Sequence, residues 1–219
     1  DSRYGGGNCS RAGRQDSVTA GVLDGQYRIC NWLYNHLLDK GQQLKQEFIQ
    51  SKNPEAAKTL YTERGLRNLL PKIKGENPFL KVVHSSPLKN TALRLSDAIR
   101  THQKARKGQR KGKPVGWPKF RSWKKGWFSL LYDEPQKGFK IENKALIISL
   151  GMGQDRKQRR ATLGMPDAHL LQKKDLRNLR VVFELGSYHA IFTLQKELPS
   201  RKPISNILAL DPNHKNLAY

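Results

Sequence analysis

The sequence predicts an α+β protein, a helical bundle set on a small antiparallel β-barrel of the oligonucleotide-binding kind. Apolar residues recur at helical spacing as far as Ile99, and beyond Trp127 the period switches to two. Turn-forming pairs then punctuate the chain at the short intervals that antiparallel strands need. Helices first and short strands after them make an α+β order, with the strands closing on themselves to hide their edges.

Residues 1–23 are rich in Gly, Ser and Arg and read as a flexible lead. From Asp24, the positions Ile29, Trp32, Leu33, His36 and Leu37 form one apolar stripe. The run Asp39-Lys40-Gly41 is expected to end that helix, with Leu44, Phe48 and Ile49 on a second segment. Asn53 caps a third, with Pro54 in its first turn. That helix is expected to pass Gly65 and stop at Pro71. After Ser86-Pro87, Leu88, Ala92, Leu95 and Ile99 share one face, with Lys89, Arg94 and Arg100 on the other. These elements make a helical domain over residues 24–107.

Residues 108–203 make the β domain. Strands are expected at 128–132, 138–142 and 145–150, with turns at 133–137 and Asn143-Lys144. A basic loop at 151–160 carries Arg156, Lys157, Arg159 and Arg160. Residues 169–179 fit a short helix or an extended crossover. Strands at 179–185 and 188–194 flank Gly186-Ser187, a two-residue hairpin turn. After a linker at 199–203, the apolar strand 204–210 ends in Asp211.

Charge decides the class of partner. Lys and Arg outnumber Asp and Glu by 41 to 18, a formal +23 spread along the chain. The densest part is 100–128, where no acid lies between Asp97 and Asp133. It holds Arg100, Lys104, Arg106, Lys107, Arg110, Lys111, Lys113, Lys119, Arg121, Lys124 and Lys125. Such a run repels itself unless a polyanion neutralises it. Interleaved are Trp117, Phe120, Trp123, Trp127 and Phe128, rings that either flank a core or stack on unpaired bases. Trp117, between Gly116 and Pro118, is either a plug packed back onto the fold or a platform for a base. A membrane is the other common polyanion, but no apolar run approaches the ~20 residues of a spanning helix. Cys9 and Cys30 are too few for a disulfide framework or a four-ligand zinc site, and a reducing cytoplasm suits the chain. There is no glycine-rich phosphate loop, paired-histidine motif or activated nucleophile.

Four stretches carry a resemblance. Residues 25–38, GQYRICNWLYNHLL, resemble the CRxxYN helix of TnpB proteins, the transposon-encoded ancestors of type V CRISPR effectors. Residues 86–98, SPLKNTALRLSDA, look like that family's LQxALRxLdkA helix, and 116–122, GWPKFRS, its GxPrFKs element. Leu208-Ala209-Leu210-Asp211-Pro212 is similar to the opening strand of its RuvC-like nuclease domain. The resemblance spans about residues 24–219.

It implies a helical recognition lobe (24–107) on a wedge barrel (108–203), then the first strand of a RuvC-like domain (204–219). The implied partners are a guide or scaffold RNA and a target DNA read by base pairing, with a transposase or a missing nuclease half as a further one. Asp211 corresponds to the first catalytic metal ligand. Magnesium is expected only for a complete nuclease, because a two-metal site needs further carboxylates, and eight residues follow Asp211. The chain is therefore expected to bind RNA and RNA–DNA heteroduplex without cleaving DNA by itself. The alternatives are a full nuclease whose remainder lies elsewhere and a stand-alone RNA-binding regulator. The family's barrel strand ahead of the first helix has no evident counterpart in residues 1–23.

Among the implied nucleic-acid contacts are Lys89, Arg94, Arg100, Lys104, Arg106, Lys107, Arg110, Lys111, Lys113, Trp117, Lys119, Arg121, Lys124, Lys125, Arg156 and Arg159.

Overall fold

A computed structural model describes residues 9–11, 17–125, 129–153, 155–165, 168–169, 171 and 173–195. Trp127, Phe128, the linker at 199–203, the strand at 204–210 and Asp211 lie outside the described residues.

The helical half begins earlier than its composition suggests. Helix α1 runs unbroken over Ser17–Ser51, so residues 17–23 are not part of a flexible lead. Leu23 is fully buried one turn before Tyr27, and Cys30, Leu33, Tyr34, Leu37 and Leu38 continue the stripe. This stripe is rotated from the expected one. Tyr27, Cys30 and Tyr34 turn inward, while Trp32 sits on the flank at 36% exposure. Gly41 does not end the helix. A methyl group there would sit 3.5 Å from Leu60 Cδ1 and Ile99 Cδ1, so this is where neighbouring helices approach α1.

Helix α2 (Pro54–Tyr61) starts as expected, Asn53 Oδ1 accepting from the Glu55 N–H at 3.0 Å. It does not continue to Pro71. The chain turns through Thr62 and packs Gly65 so closely that an added Cβ would overlap the Thr59 carbonyl. A short α3 (Gly65–Asn68) and α4 (Leu70–Glu76) follow. Pro71 lies in the first turn of α4, where its missing N–H costs no helical bond. A 3₁₀ turn over Pro78–Val82 leads to α5 (Ser85–Arg106), which buries Leu88, Ala92, Leu95 and Ile99 completely.

The β half holds two antiparallel sheets. The first has the order β1-β7-β6-β2, from β1 (Cys9–Arg11), β2 (Leu130–Tyr132), β6 (Leu176–Glu184) and β7 (Ser187–Leu194). The second has the order β3-β4-β5, from β3 (Phe139–Glu142), β4 (Ala145–Met152) and β5 (Gln158–Gly164). No closed barrel forms among the described residues. Phe139 and Phe192 meet across the two sheets at 6.2 Å. Period-two burial is common to a barrel and to stacked sheets, so the alternation alone did not decide closure.

β1 also lies inside the stretch expected to be a lead. It is held by the backbone ladder Cys9↔Ile191, Ser10↔Ala190 and Arg11↔His189, which needs no apolar signature. The β3–β4 turn is Asn143-Lys144, both at positive φ, as expected. The β6–β7 turn falls one residue early, at Leu185 (φ 50°) and Gly186 (φ 74°), after the Glu184↔Ser187 pair. Positive φ at both centres is the primed geometry that matches strand twist, and it places the glycine second.

Helices and sheets share one continuous core, from Leu23, Leu60 and Leu95 to Leu130, Phe139, Leu163 and Phe192. Within the helical half Gln26 Nε2 donates to the Val82 carbonyl (2.8 Å), and across the junction Tyr188 Oη of β7 donates to the Ala20 carbonyl of α1 (3.1 Å). His84 sits there too, its Nδ1 accepting from the Ser86 N–H at 3.2 Å and so capping α5. Burial pushes its imidazolium below the ordinary histidine range; Glu134 and Asp133 oppose the shift, while Lys89 and Lys74 reinforce it. The unfolded chain then takes up a proton at higher pH than the fold does. Stability is full above about pH 6.5 and falls as the pH drops through that value. His84→Asn keeps a cap but cannot titrate, so its urea midpoint should fall less than wild type's between about pH 7.5 and 5.5. Equal losses would assign the acid sensitivity to other groups.

Candidate nucleic-acid interface

The aromatic part of the basic stretch lies along α1. Trp117 precedes Pro118, which forces extended backbone, and residues 117–123 run antiparallel to the helix. Lys45 Nζ stands 4.4 Å from the Trp117 ring centroid. Further on, Asn35 holds both backbone groups of Arg121, accepting from its N–H and donating to its carbonyl, each at 2.8 Å. Asn31 Nδ2 donates to the same carbonyl at 3.2 Å. At the far end the Arg28 guanidinium covers the Trp123 ring at 4.3 Å. From Lys45 to Arg28 the helix rises about 25 Å, and six extended residues reach about 20 Å. The long Lys and Arg side chains span the difference.

This strap leaves a groove of about 590 Å³ against α1. Its rings are Trp32, His36, Phe120 and Trp123; its cations are Arg28 and Arg121. Phe120 is 57% exposed and Trp123 45%. Trp32 stacks on His36 (4.8 Å, 12°) and meets Phe79 edge-on (4.8 Å). Lys124 Nζ lies 5.6 Å from the Trp123 ring centroid. Asp39 is the one acid in the lining, and it accepts from Gln43 Nε2 at 2.8 Å. Arg121 also lies over the Tyr34 ring at 4.9 Å. Burial raises the Tyr34 hydroxyl, outweighing Arg121, and pushes the Cys30 thiol up to about 12, so both stay protonated. Flat faces under positive charge can stack bases and hold the phosphates between them.

Beyond Trp117 lies a second cleft of about 670 Å³, between α1, α2 and the end of α5. Trp117 itself is half-buried against the core, its Nε1 enclosed, with the His102 ring edge-on at 5.5 Å. The ring is therefore packed back onto the fold while part of it still lines the cleft. Trp117→Ala should lower stability by about 2–3 kcal/mol, a little below a full core truncation, in a denaturant melt. An unchanged midpoint would mean that the ring does not hold the strap down.

The predicted contact residues divide by surroundings. Lys104 and Arg106 in the last turn of α5, then Lys107, Arg110, Lys111, Lys113, Lys119 and Arg121 along the loop and strap, are exposed, as are Lys124 and, elsewhere, Arg156. For Lys125 only the backbone is described. Three others already have partners in the fold. Lys89 pairs with Glu134 at 2.5 Å, and Arg94 donates to Ser129 O (3.0 Å) and Oγ (2.6 Å). Burial, then Arg180 and Arg121, brings the Arg94 guanidinium down to about 10. Arg100 reaches Asp97 at 3.2 Å and Glu63 at 3.9 Å. Arg159, expected in the basic loop at 151–160, lies on β5 and pairs at 3.3 Å with Asp155 in the turn before it. No three His, Cys, Asp or Glu side chains gather for a metal among the described residues. Also among them, no helix is long and apolar enough to cross a membrane.

Sequence reasoning missed Arg28, Trp32 and His36 as groove residues and Lys45, Phe48, Tyr61 and His102 as cleft residues. Trp32 and His36 occupy stripe positions that read as core. Neither protein-family models nor curated proteins give a match to this chain.

Proposed function

We propose that this chain binds RNA through the groove between α1 and the 117–123 strap, as the recognition and wedge portion of a TnpB-like RNA-guided nuclease. The observation that carries the reading is the pair of exposed rings Phe120 and Trp123, the second with Arg28 and Lys124 at its ring, in a chain of net charge +23. A protein that only needed a core would turn these rings inward. Further support comes from the contact between two of the resembling elements, since Asn35 and Tyr34 of the CRxxYN-like helix hold Arg121 of the GxPrFKs-like segment. β1 pairs into the first sheet ahead of α1, where the family has a strand. On this reading the two sheets are the wedge, and a guide RNA supplies the base pairing that selects DNA. Asp211 would open the nuclease domain as its first metal ligand.

The double variant Phe120→Ala/Trp123→Ala tests it. Affinity for single-stranded RNA should weaken by about 2 kcal/mol or more at unchanged thermal stability, since each stacked base is worth about 1–3 kcal/mol. Full retained affinity would remove the groove from the binding surface.

A further inference from the structure

We infer that the second cleft takes one unpaired nucleotide of a bound RNA, its base among the rings of Phe48, Tyr61 and Trp117 and its phosphate on Lys58, Arg106 and Lys107. The inference rests on the nucleic-acid reading and names a subsite apart from the groove. Two edge-on ring pairs line the cleft, Phe48 with Tyr61 (6.3 Å, 79°) and His102 with Trp117 (5.5 Å, 90°). Four cations join them, Lys45, Lys58, Arg106 and Lys107, and no carboxylate is among the lining residues described. Glu55 reaches Lys58 from outside at 3.7 Å, but both side chains are exposed and such a pair holds weakly.

Size and chemistry select the occupant. About 670 Å³ is the scale of a small-molecule site, ample for one nucleotide and too narrow for a duplex end. A bare phosphate or an acidic side chain would use the cations and leave the rings without a role. A nucleobase uses both, because its face stacks while its phosphate pairs. The edge of the base also has partners. The Val115 carbonyl can only accept, so His102 Nδ1 donates the 2.8 Å bond between them. With Nδ1 so engaged, the Nε2 edge of His102 is left for a polar group of the base, and the Gln103 amide offers both a donor and an acceptor. Lys58, Arg106 and Lys107 are exposed, so they are placed to meet a backbone arriving from solvent.

The test uses the full chain and two RNA hairpins, identical except that one carries a single bulged 2-aminopurine. The bulged hairpin should bind about tenfold tighter, with the fluorescence of its probe quenched on binding as the base stacks. In Lys58→Gln/Arg106→Gln the preference should fall to about twofold or less, whereas Phe120→Ala/Trp123→Ala should keep it. Equal binding of the two hairpins by wild type overturns the subsite and leaves the groove standing. So does a preference that the groove variant loses and the cleft variant keeps. Binding of neither hairpin overturns the nucleic-acid reading and this subsite with it.

Discussion

Replacing Arg106, Lys107, Arg110, Lys111 and Lys113 together by Gln should flatten the slope of log K against log salt for RNA by about 3.5 units. Each phosphate neutralised on a single strand releases about 0.7 of a condensed counterion, and the five contacts would be lost at once. All five residues are exposed, and none has a carboxylate partner within ion-pair distance among the described residues. Their charge therefore repels only its neighbours until a polyanion arrives. Lys89, Arg94 and Arg100 make the matched control. Each already contacts the fold, so their removal should cost stability and move the slope little. Titration at four or five salt concentrations reads the slope directly. A slope unchanged in the quintuple variant would put the polyanion on another face.

Gly151→Ala should destabilise the fold by about 3 kcal/mol, the upper end of the overpacking range, without touching either binding region. Gly151 lies near the end of β4, where the strand crosses the 3₁₀ turn over Pro78–Val82. An added Cβ would overlap the carbonyl carbon of Val82 and press on the Lys81 and Val82 oxygens. Those neighbours are backbone on both sides, so no rotamer change relieves the clash. The same turn gives its Val82 carbonyl to Gln26 of α1, so displacing it also strains that bond. Equilibrium urea unfolding checks the claim. A loss under about 1 kcal/mol would show that the two segments slide apart without strain.

Which elements were legible follows from the kind of signal each one uses. Helix α5 could be read because Leu88, Ala92, Leu95 and Ile99 mark one aliphatic face, with Thr91 and Ser96 small enough to be buried beside them. Asn53 and the Asn143-Lys144 turn could be read because local chemistry alone dictates them. The start and phase of α1 could not, because Tyr27, Cys30 and Tyr34 are amphipathic and their burial depends on what packs against them. β1 was illegible in principle, as an edge strand's ladder is written in backbone. At the site, the aromatic and basic composition pointed to the strap, whereas its antiparallel course along α1 depends on Asn35, one amide among many. The second cleft gathers residues from 45 to 117 that no local pattern links.

The pairing of β1 with β7 has a consequence for how the chain acquires its structure. Cys9 meets Ile191 across nearly the whole described chain, and Tyr188 reaches back to Ala20 in the same way. The α1, α2 and α5 bundle is complete by Arg106, so it can condense while the later residues are still emerging from the ribosome. The first sheet must wait for its last strand, and until then the three residues of β1 have nothing to pair with. Non-local closure of that kind is slow. Between those two moments the helical half stands with the apolar surface that its share of the common core turns towards the sheets still uncovered.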